Sequence, residues 1–458
     1  MLSRPDSPTR TESEKSEGSG VPFNLLDFRS DETSDYTFFP YLKDGGWGDS
    51  WTPPSDGKII FEKSTLSFIN RLLPRIRIPT WIKRAIPVLG KASFGRLKAD
   101  EWRNLFTIQL PLILPVYWAD GGASARSLFR NFAHLVSMVN LALKRTMNSE
   151  KVYKYRRHTL KYLESCLVLF PDTNLAPNHH MAVHLSDCLD KFGPSRSWWS
   201  FSMERLMGKV LQTSDNNRLG QLEVTFLKNF CRLGNLQSLM SEHEKFPPQL
   251  QPFIPQTQAF SISVEKKTDL VQKGKQDFLD SSILKLLTDK INDSFPAPKN
   301  QTWISSSEWC KKSKNKIKDF IPINSAIENL STYSIENLIF STFKRNPSNS
   351  VIKFKTYSRT SHGIIKKIFH HRRTLNDQSL TDTWMLVQTL APENSRAENP
   401  FSKLDNFDMQ VDLKVLESKE VVIHISEIHA HCAWLEYKPF EISPNIERKC
   451  IALVSLDR

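Results

Sequence analysis

VIKFKTYSRT, residues 351–360, sets Ile352 and Phe354 against Lys353 and Lys355, the period-two pattern of a strand with one buried face. Short β-branched runs continue the pattern: TWMLVQTL at 383–390, QVDLKVLE at 410–417, VVIHISEI at 421–428 and CIALVSL at 450–456. Turn-forming segments part these runs. Several short strands within about a hundred residues predict a small β-barrel or β-sandwich over 351–458.

Upstream the period is helical. Leu128, Phe132, Leu135 and Val139 recur at spacings of three and four and predict one buried face of a helix that starts near Ser124. Tyr155, Tyr162, Cys166 and Leu169 repeat the pattern up to the Pro171-Asp172 turn. Further helices are expected over His180–Leu189, stopped by Gly193-Pro194, and over Trp198–Leu211 and Gly220–Leu233. Between them, residues 241–350 begin with the proline- and glutamine-rich FPPQLQPFIPQTQ at 246–258 and carry the basic run KKSKNKIK at 311–318. That composition predicts a linker with marginal helices. Residues 1–57, rich in Ser, Asp, Glu, Gly and Pro, predict a disordered or loosely attached tail. The expected class is α+β: this tail, an all-helical domain over 58–240, the linker and a β-rich module over 351–458.

A net charge of +13 over 458 residues favours polyanionic partners, because lysine and arginine that neutralise phosphates release condensed counterions. Nucleic acid is the first such partner. Six cysteines are scattered without a CxxC pair, which predicts neither a disulfide framework nor a cysteine-rich zinc site. The polar N-terminus has no signal-peptide core, and the most apolar stretch, residues 105–118, is interrupted by Gln109, Pro111 and Pro115. No membrane association is expected. An intracellular, nuclear location fits the charge.

Two blocks carry a family resemblance. One is PNHHMAVHLSDCLDKFGPSRSWWSFSMERLMGKVLQTSDNNRLGQLEVTFLKNFCRLGNLQSLM at 177–240, and the other is IPTWIKRAIPVLGKASFGRLKADEWRNLF at 78–106. Together they resemble the region that follows the catalytic core in transposases of plant and fungal CACTA (En/Spm) elements. SHGIIKKIFHHRR at 361–373, HISEIHAHCAWL at 424–435 and CIALVSLDR at 450–458 resemble the tail that follows it in the fungal enzymes.

The resemblance implies descent from a DDE enzyme, in which three carboxylates hold two divalent metals for strand cleavage and transfer. The family's first two aspartates lie upstream of everything matched, so the expected protein binds DNA or a transposase partner without cutting DNA itself. No cofactor is expected for this chain alone, and magnesium only where a partner supplies the missing aspartates. Two alternatives stand beside this: one half of a two-chain strand transferase or nuclease, and a chromatin-type adaptor whose β module reads a peptide.

Glu204, in the ERL motif at 204–206, occupies a place where the third carboxylate can sit. The competing reading is a helix carboxylate that pairs with Arg205 or Lys209 or caps a turn. His180 and His184 share a helix face at i and i+4, the spacing of helical two-histidine zinc sites, but Met181 breaks the HExxH pattern. They are expected either as packing histidines or, with Arg205 and Glu204, as the lining of one groove. Lys144, Arg145, Lys151, Lys154, Arg156, Arg157 and Lys161 cluster about a helix junction with Tyr153 and Tyr155 between them. That arrangement suits either a phosphate backbone with aromatic stacking or a solvated helix surface.

Asp100 and Glu101 are expected to cap a helix whose Trp102 anchors in the core. In HAHC, alternation places His429 and His431 on one side of a strand and Cys432 on the other, poor geometry for a metal. Trp384, Trp434 and Tyr437 are read as core residues or as an aromatic peptide pocket.

Overall fold

Residues 105–114 run buried in a core shared by the helical part of the chain and the sheet. The computed structural model describes residues 63–84, 87–90, 97–119, 121–171, 174–211, 221–241, 247, 249, 274–298, 301–312, 317–335, 338–356, 359–375, 378–393 and 399–456. The expected N-terminal tail and most of FPPQLQPFIPQTQ lie outside these residues. In the helical part stand α1 (Lys63–Leu72), α2 (Ala99–Asn104), α3 (Leu114–Trp118), α4 (Ala123–Ala142), α5 (Ser149–Leu169), α6 (Pro177–Phe192), α7 (Phe201–Leu211) and α8 (Leu222–Ser241). Pro111 and Pro115 cannot donate backbone hydrogen bonds, so the run between α2 and α3 bends through a π turn at Leu105–Gln109 and a 3₁₀ turn at Leu110–Leu112. Leu105, Ile108, Leu110, Leu112, Ile113 and Leu114 are all buried. The most apolar stretch of the sequence is thus a core segment. Among the described residues no helix is long and apolar enough to cross a membrane.

The β part opens with β1 (Lys275–Phe278) and α9 (Ser281–Ser294), followed by β2 (Thr302–Ser305), β3 (Phe320–Ile323), β4 (Ala326–Leu330), β5 (Thr332–Ile335) and β6 (Leu338–Ser341). The long strands come next: β7 (Val351–Thr356), β8 (Arg359–Leu375), β9 (Gln378–Pro392), β10 (Val411–His424), β11 (Ile428–Tyr437) and β12 (Cys450–Ser455). The main sheet is antiparallel, in the order β1-β4-β8-β7-β11-β12-β10-β9, and β8 also pairs with β9. β8 is long enough to hold three neighbours. His362–Leu375 faces Gln378–Leu390 of β9, while the other edge takes β7 and, beyond it, β4.

One apolar cluster joins the two parts. Ile69, Leu72, Ile113, Phe132 and Val136 from the helices meet Val411, Leu435, Tyr437, Ala452 and Val454 from the sheet. At its edge Arg77 and Trp434 exchange two backbone hydrogen bonds, at 2.8 and 2.9 Å, as an isolated antiparallel bridge. Arg75 forms a bidentate pair with Glu441, which holds that carboxyl below its usual range. Tyr437 Oη donates to the Leu112 carbonyl at 2.6 Å in the buried interior, where Pro115, three residues on, has no N–H to offer.

Several sequence expectations shift. The buried face of α4 is Phe129, Phe132, Ala133 and Val136, one position off the predicted stripe. The shift follows from Asn131, His134 and Ser137, polar residues that are buried where α4 meets α5. QVDLKVLE and VVIHISEI, read as two strands, are one strand, β10, broken in register between Leu416 and Glu420. Residues 274–341, expected as linker, supply β1 and β4 to the main sheet, while α9 packs on Trp384 and Phe369. Trp102 is 47% exposed and lies against Phe106 instead of anchoring the core, although Glu101 does cap α2 by accepting the Lys98 N–H at 3.0 Å. Gly193 ends α6 as predicted, with φ of 74°.

Gly363 on β8 has no room for a side chain: a Cβ there would stand 2.3 Å from Val387 Cγ1 and 2.8 Å from the Gln388 carbonyl. Gly363→Ala is therefore expected to cost about 1–3 kcal/mol through overpacking, read from urea midpoints. Gly234→Ala on α8, which meets nothing within 4 Å, is expected to leave stability unchanged or raise it by about 0.5–1 kcal/mol.

Candidate nucleic-acid interface and histidine sites

The turn between α4 and α5 is pinned from both sides. Asn148 caps α5 by accepting the Lys151 N–H at 3.0 Å. Ser195 Oγ and Arg196 Nε donate to the last α4 carbonyls, of Ala142 and Leu143, at 2.5 and 3.0 Å. Lys151 folds back on Thr146, donating to its carbonyl at 3.0 Å and its hydroxyl at 2.7 Å. Arg145 is exposed, and Lys144 and Arg157 are half-buried. Arg196, whose guanidinium lies 5.4 Å over the Trp199 ring, has its pKa lowered by burial first and then by the positive charges of Arg145 and Arg103. Cations from the α4 end, α2 and the turn after α6 therefore crowd one place.

The remaining predicted cations differ in company. Lys154 pairs with Glu150 at 3.0 Å on its own helix, and Lys161 with Glu164 at 3.4 Å. Arg156 points the other way, donating to Asp187 at 2.8 Å and Ser186 Oγ at 3.0 Å on α6. It is an interhelical tie. Tyr155, expected as a stacking platform, is buried and donates its hydroxyl to the Ala182 carbonyl at 2.7 Å. Arg196 and Trp199 escape a reading of the sequence because they lie about fifty residues beyond the junction they serve, although an arginine beside two tryptophans after a Gly-Pro break is a usable signal.

On α6, His180 Nε2 and His184 Nε2 are 3.1 Å apart, and His184 Nδ1 stands 3.8 Å from Asp187 Oδ2. His179 is separate: its Nδ1 accepts the Ala176 N–H at 2.9 Å at the helix start. Glu204, in the first turn of α7, accepts from Ser200 Oγ at 3.1 Å, and Arg205 beside it is exposed. None of these contacts brings Glu204 to the histidines. The metal pair of DDE enzymes does not fit this set, since hard divalent ions need several oxygen ligands and Glu204 offers one carboxylate already bound to Ser200. Among the described residues no group of three or more His, Cys, Asp or Glu side chains stands ready for a metal.

A buried chain at the helix-sheet seam has no counterpart in the sequence reading. His134 Nδ1 and His158 Nδ1 are 2.9 Å apart, His158 Nε2 is 3.5 Å from Asp408 Oδ2, and the Phe407 ring covers both imidazoles. The contacts fit a chain in which His158 donates from Nε2 to Asp408 and one proton is shared between the two Nδ1 atoms. Burial raises the Asp408 carboxyl, but the His158 contact, followed by Lys154 and Lys144, holds it below its ordinary value. Burial, then His158, Arg130, Lys161 and Arg157, pushes His134 down to about 2.

Next to this seam lies a cleft of about 530 Å³ lined by Lys353, Thr360, His362, Asp412, Lys414 and Ser455. Ser455 Oγ and Asp412 Oδ2 both approach the same nitrogen of His362, at 3.2 and 3.8 Å. A nucleophile relay needs its acid on the other nitrogen, so these three do not form one.

Trp384, Trp434 and Tyr437 are 0%, 5% and 0% exposed and belong to three different core clusters, which removes the aromatic peptide pocket. His429 and His431 do not share a side: the register shift between Ile428 and Ala430 leaves His429 exposed and His431 buried. Comparison with protein-family models, curated proteins and solved structures finds no match to this chain.

A histidine held neutral in the fold gives stability that is complete above its unfolded pKa of 6.5 and is lost as pH falls below it, because only the unfolded chain takes up the proton. His134 is expected to contribute a loss of about 1.4 kcal/mol for each pH unit below 6.5. His431, pushed down to about 4 by burial, adds a loss of the same sign. Urea midpoints measured between pH 7.5 and 5.0 are expected to fall, and to fall less steeply in His134→Gln.

Proposed function

We propose that this protein binds nucleic acid through the α4–α5 junction and descends from a CACTA-type transposase, with no strand chemistry assigned to this chain. The observation that carries the reading is Arg196, held on the Leu143 carbonyl at the end of α4 at 3.0 Å, where the positive charges of Arg145 and Arg103 act on it. Like charges held together by a pinned turn cost free energy that a phosphate backbone relieves, and Trp199 beneath Arg196 adds a stacking face. The descent rests on the sequence blocks at 78–106 and 177–240. The long strands read as a small barrel: β7, β8, β9, β10, β12 and β11 each pair with two others of the set, in a cycle that the β8–β9 pairing completes. In this proposal that module carries protein contacts, a transposase among them, and the site of action is the nucleus.

The test is duplex binding across a salt series, for the parent and for Arg145→Ala/Lys151→Ala/Arg157→Ala. The slope of log Kobs against log[salt] is expected to become shallower by about 0.9 for each phosphate no longer neutralised, thus by about 2–3. Equal slopes, or no binding by the parent at about 50 mM salt, reject the junction as the interface. Arg156→Ala is a contrasting variant: it is expected to lower stability by removing the tie to Asp187 and to leave the slope unchanged.

A further inference from the structure

We propose that His180 and His184 form a two-imidazole chelate for a divalent transition-metal ion such as copper(II), nickel or zinc. The proposal is independent of nucleic-acid binding and stands on geometry. Two imidazole nitrogens bound to one ion at about 2.0–2.1 Å, with an angle at the metal between square and tetrahedral, lie about 2.9–3.4 Å apart. His180 Nε2 and His184 Nε2 are 3.1 Å apart, with ring centroids at 4.7 Å. The bite is already set in the helix.

The surroundings support both rings. α6 presents them one turn apart, and its start is fixed by Pro177 and by the Ala176 N–H on His179. Asp187, on the next turn, faces the Nδ1 of His184 at 3.8 Å, the position from which a carboxylate orients a ligating imidazole and raises its basicity. Arg156 from α5 holds Asp187 at 2.8 Å, so the support is anchored in a second helix. A neutral imidazole that moves its proton to Nδ1 offers its Nε2 lone pair to the ion.

Water completes the coordination, or a ligand from a docked molecule. Imidazole selects borderline ions, in the order nickel below copper above zinc, and leaves magnesium and calcium unbound. The ligand class is therefore distinct from the magnesium of strand-transfer chemistry.

The experiment is calorimetric titration of the full chain with copper(II) and zinc at pH 7.5, with copper EPR on the 1:1 complex. The parent is expected to bind one equivalent with two nitrogen couplings, unaffected by millimolar magnesium. His180→Gln/His184→Gln is expected to lose that equivalent while its far-UV circular dichroism is unchanged. Asp187→Asn is expected to bind about tenfold more weakly, as second-sphere replacements do. One equivalent that persists in the double variant would place the metal elsewhere, on the exposed Cys231 or Cys310 for example, and would overturn the proposal. So would absence of saturable binding by the parent, or a spectrum with a single nitrogen.

Discussion

Burial of residues 105–114 between the helices and the sheet is the constraint on which the rest depends. Pro111 within this run and Pro115 just beyond it deny it a straight helix, and the bent path leaves carbonyls that need donors from outside. Tyr437 supplies one such donor from β11, at a cost that only a tight seam sustains, since its own hydroxyl is fully desolvated. The Arg77–Trp434 bridge and the Arg75–Glu441 pair then fix the same seam from the α1 side. Helix and strand thus share one core, and neither can be removed without exposing the other's apolar face.

That seam also sets the site. Phe407 inserts against the two histidine rings of α4 and α5, and Asp408 arrives beside His158 as a consequence. Asn140, near the end of α4, donates to the Asp408 carbonyl at 3.1 Å. The segment leading into β10 therefore braces the α4–α5 pair at the end where the cations project. A turn held in place in this way has less conformational entropy to lose on meeting a partner than a free loop would.

Sequence periodicity located α4, α5, α6 and α7 and the strands β7, β9 and β12, because each has enough residues to repeat its pattern. β1 and β4 escaped it. KQDF and AIENL have four and five residues and no apolar alternation, and they are strands because β8 offers an edge to which β4, and then β1, can pair. Their structure is tertiary in origin, as is the histidine chain, whose members come from three elements far apart in sequence. Trp102 stays exposed while Leu105 and Ile108, farther along the same segment, are buried.

The basic helix shows how far counting charges carries an argument. At 100° per residue, Lys151, Arg157 and Lys161 fall within about 60° of Lys154, whereas Arg156 lies about 200° away. Five cations in one segment are thus four on a stripe and one on the opposite side, and the helix period alone separates them. The structure gives the odd one its reason, since Arg156 meets Asp187 on α6. α5 therefore faces two ways: Lys154 on its stripe lies toward Asp408, and its single opposed arginine fixes the carboxylate that backs His184. The proposed phosphate-binding stripe of α5 and the proposed metal pair of α6 therefore need not compete, because the period of α5 turns Arg156 toward α6 and its other cations away from it.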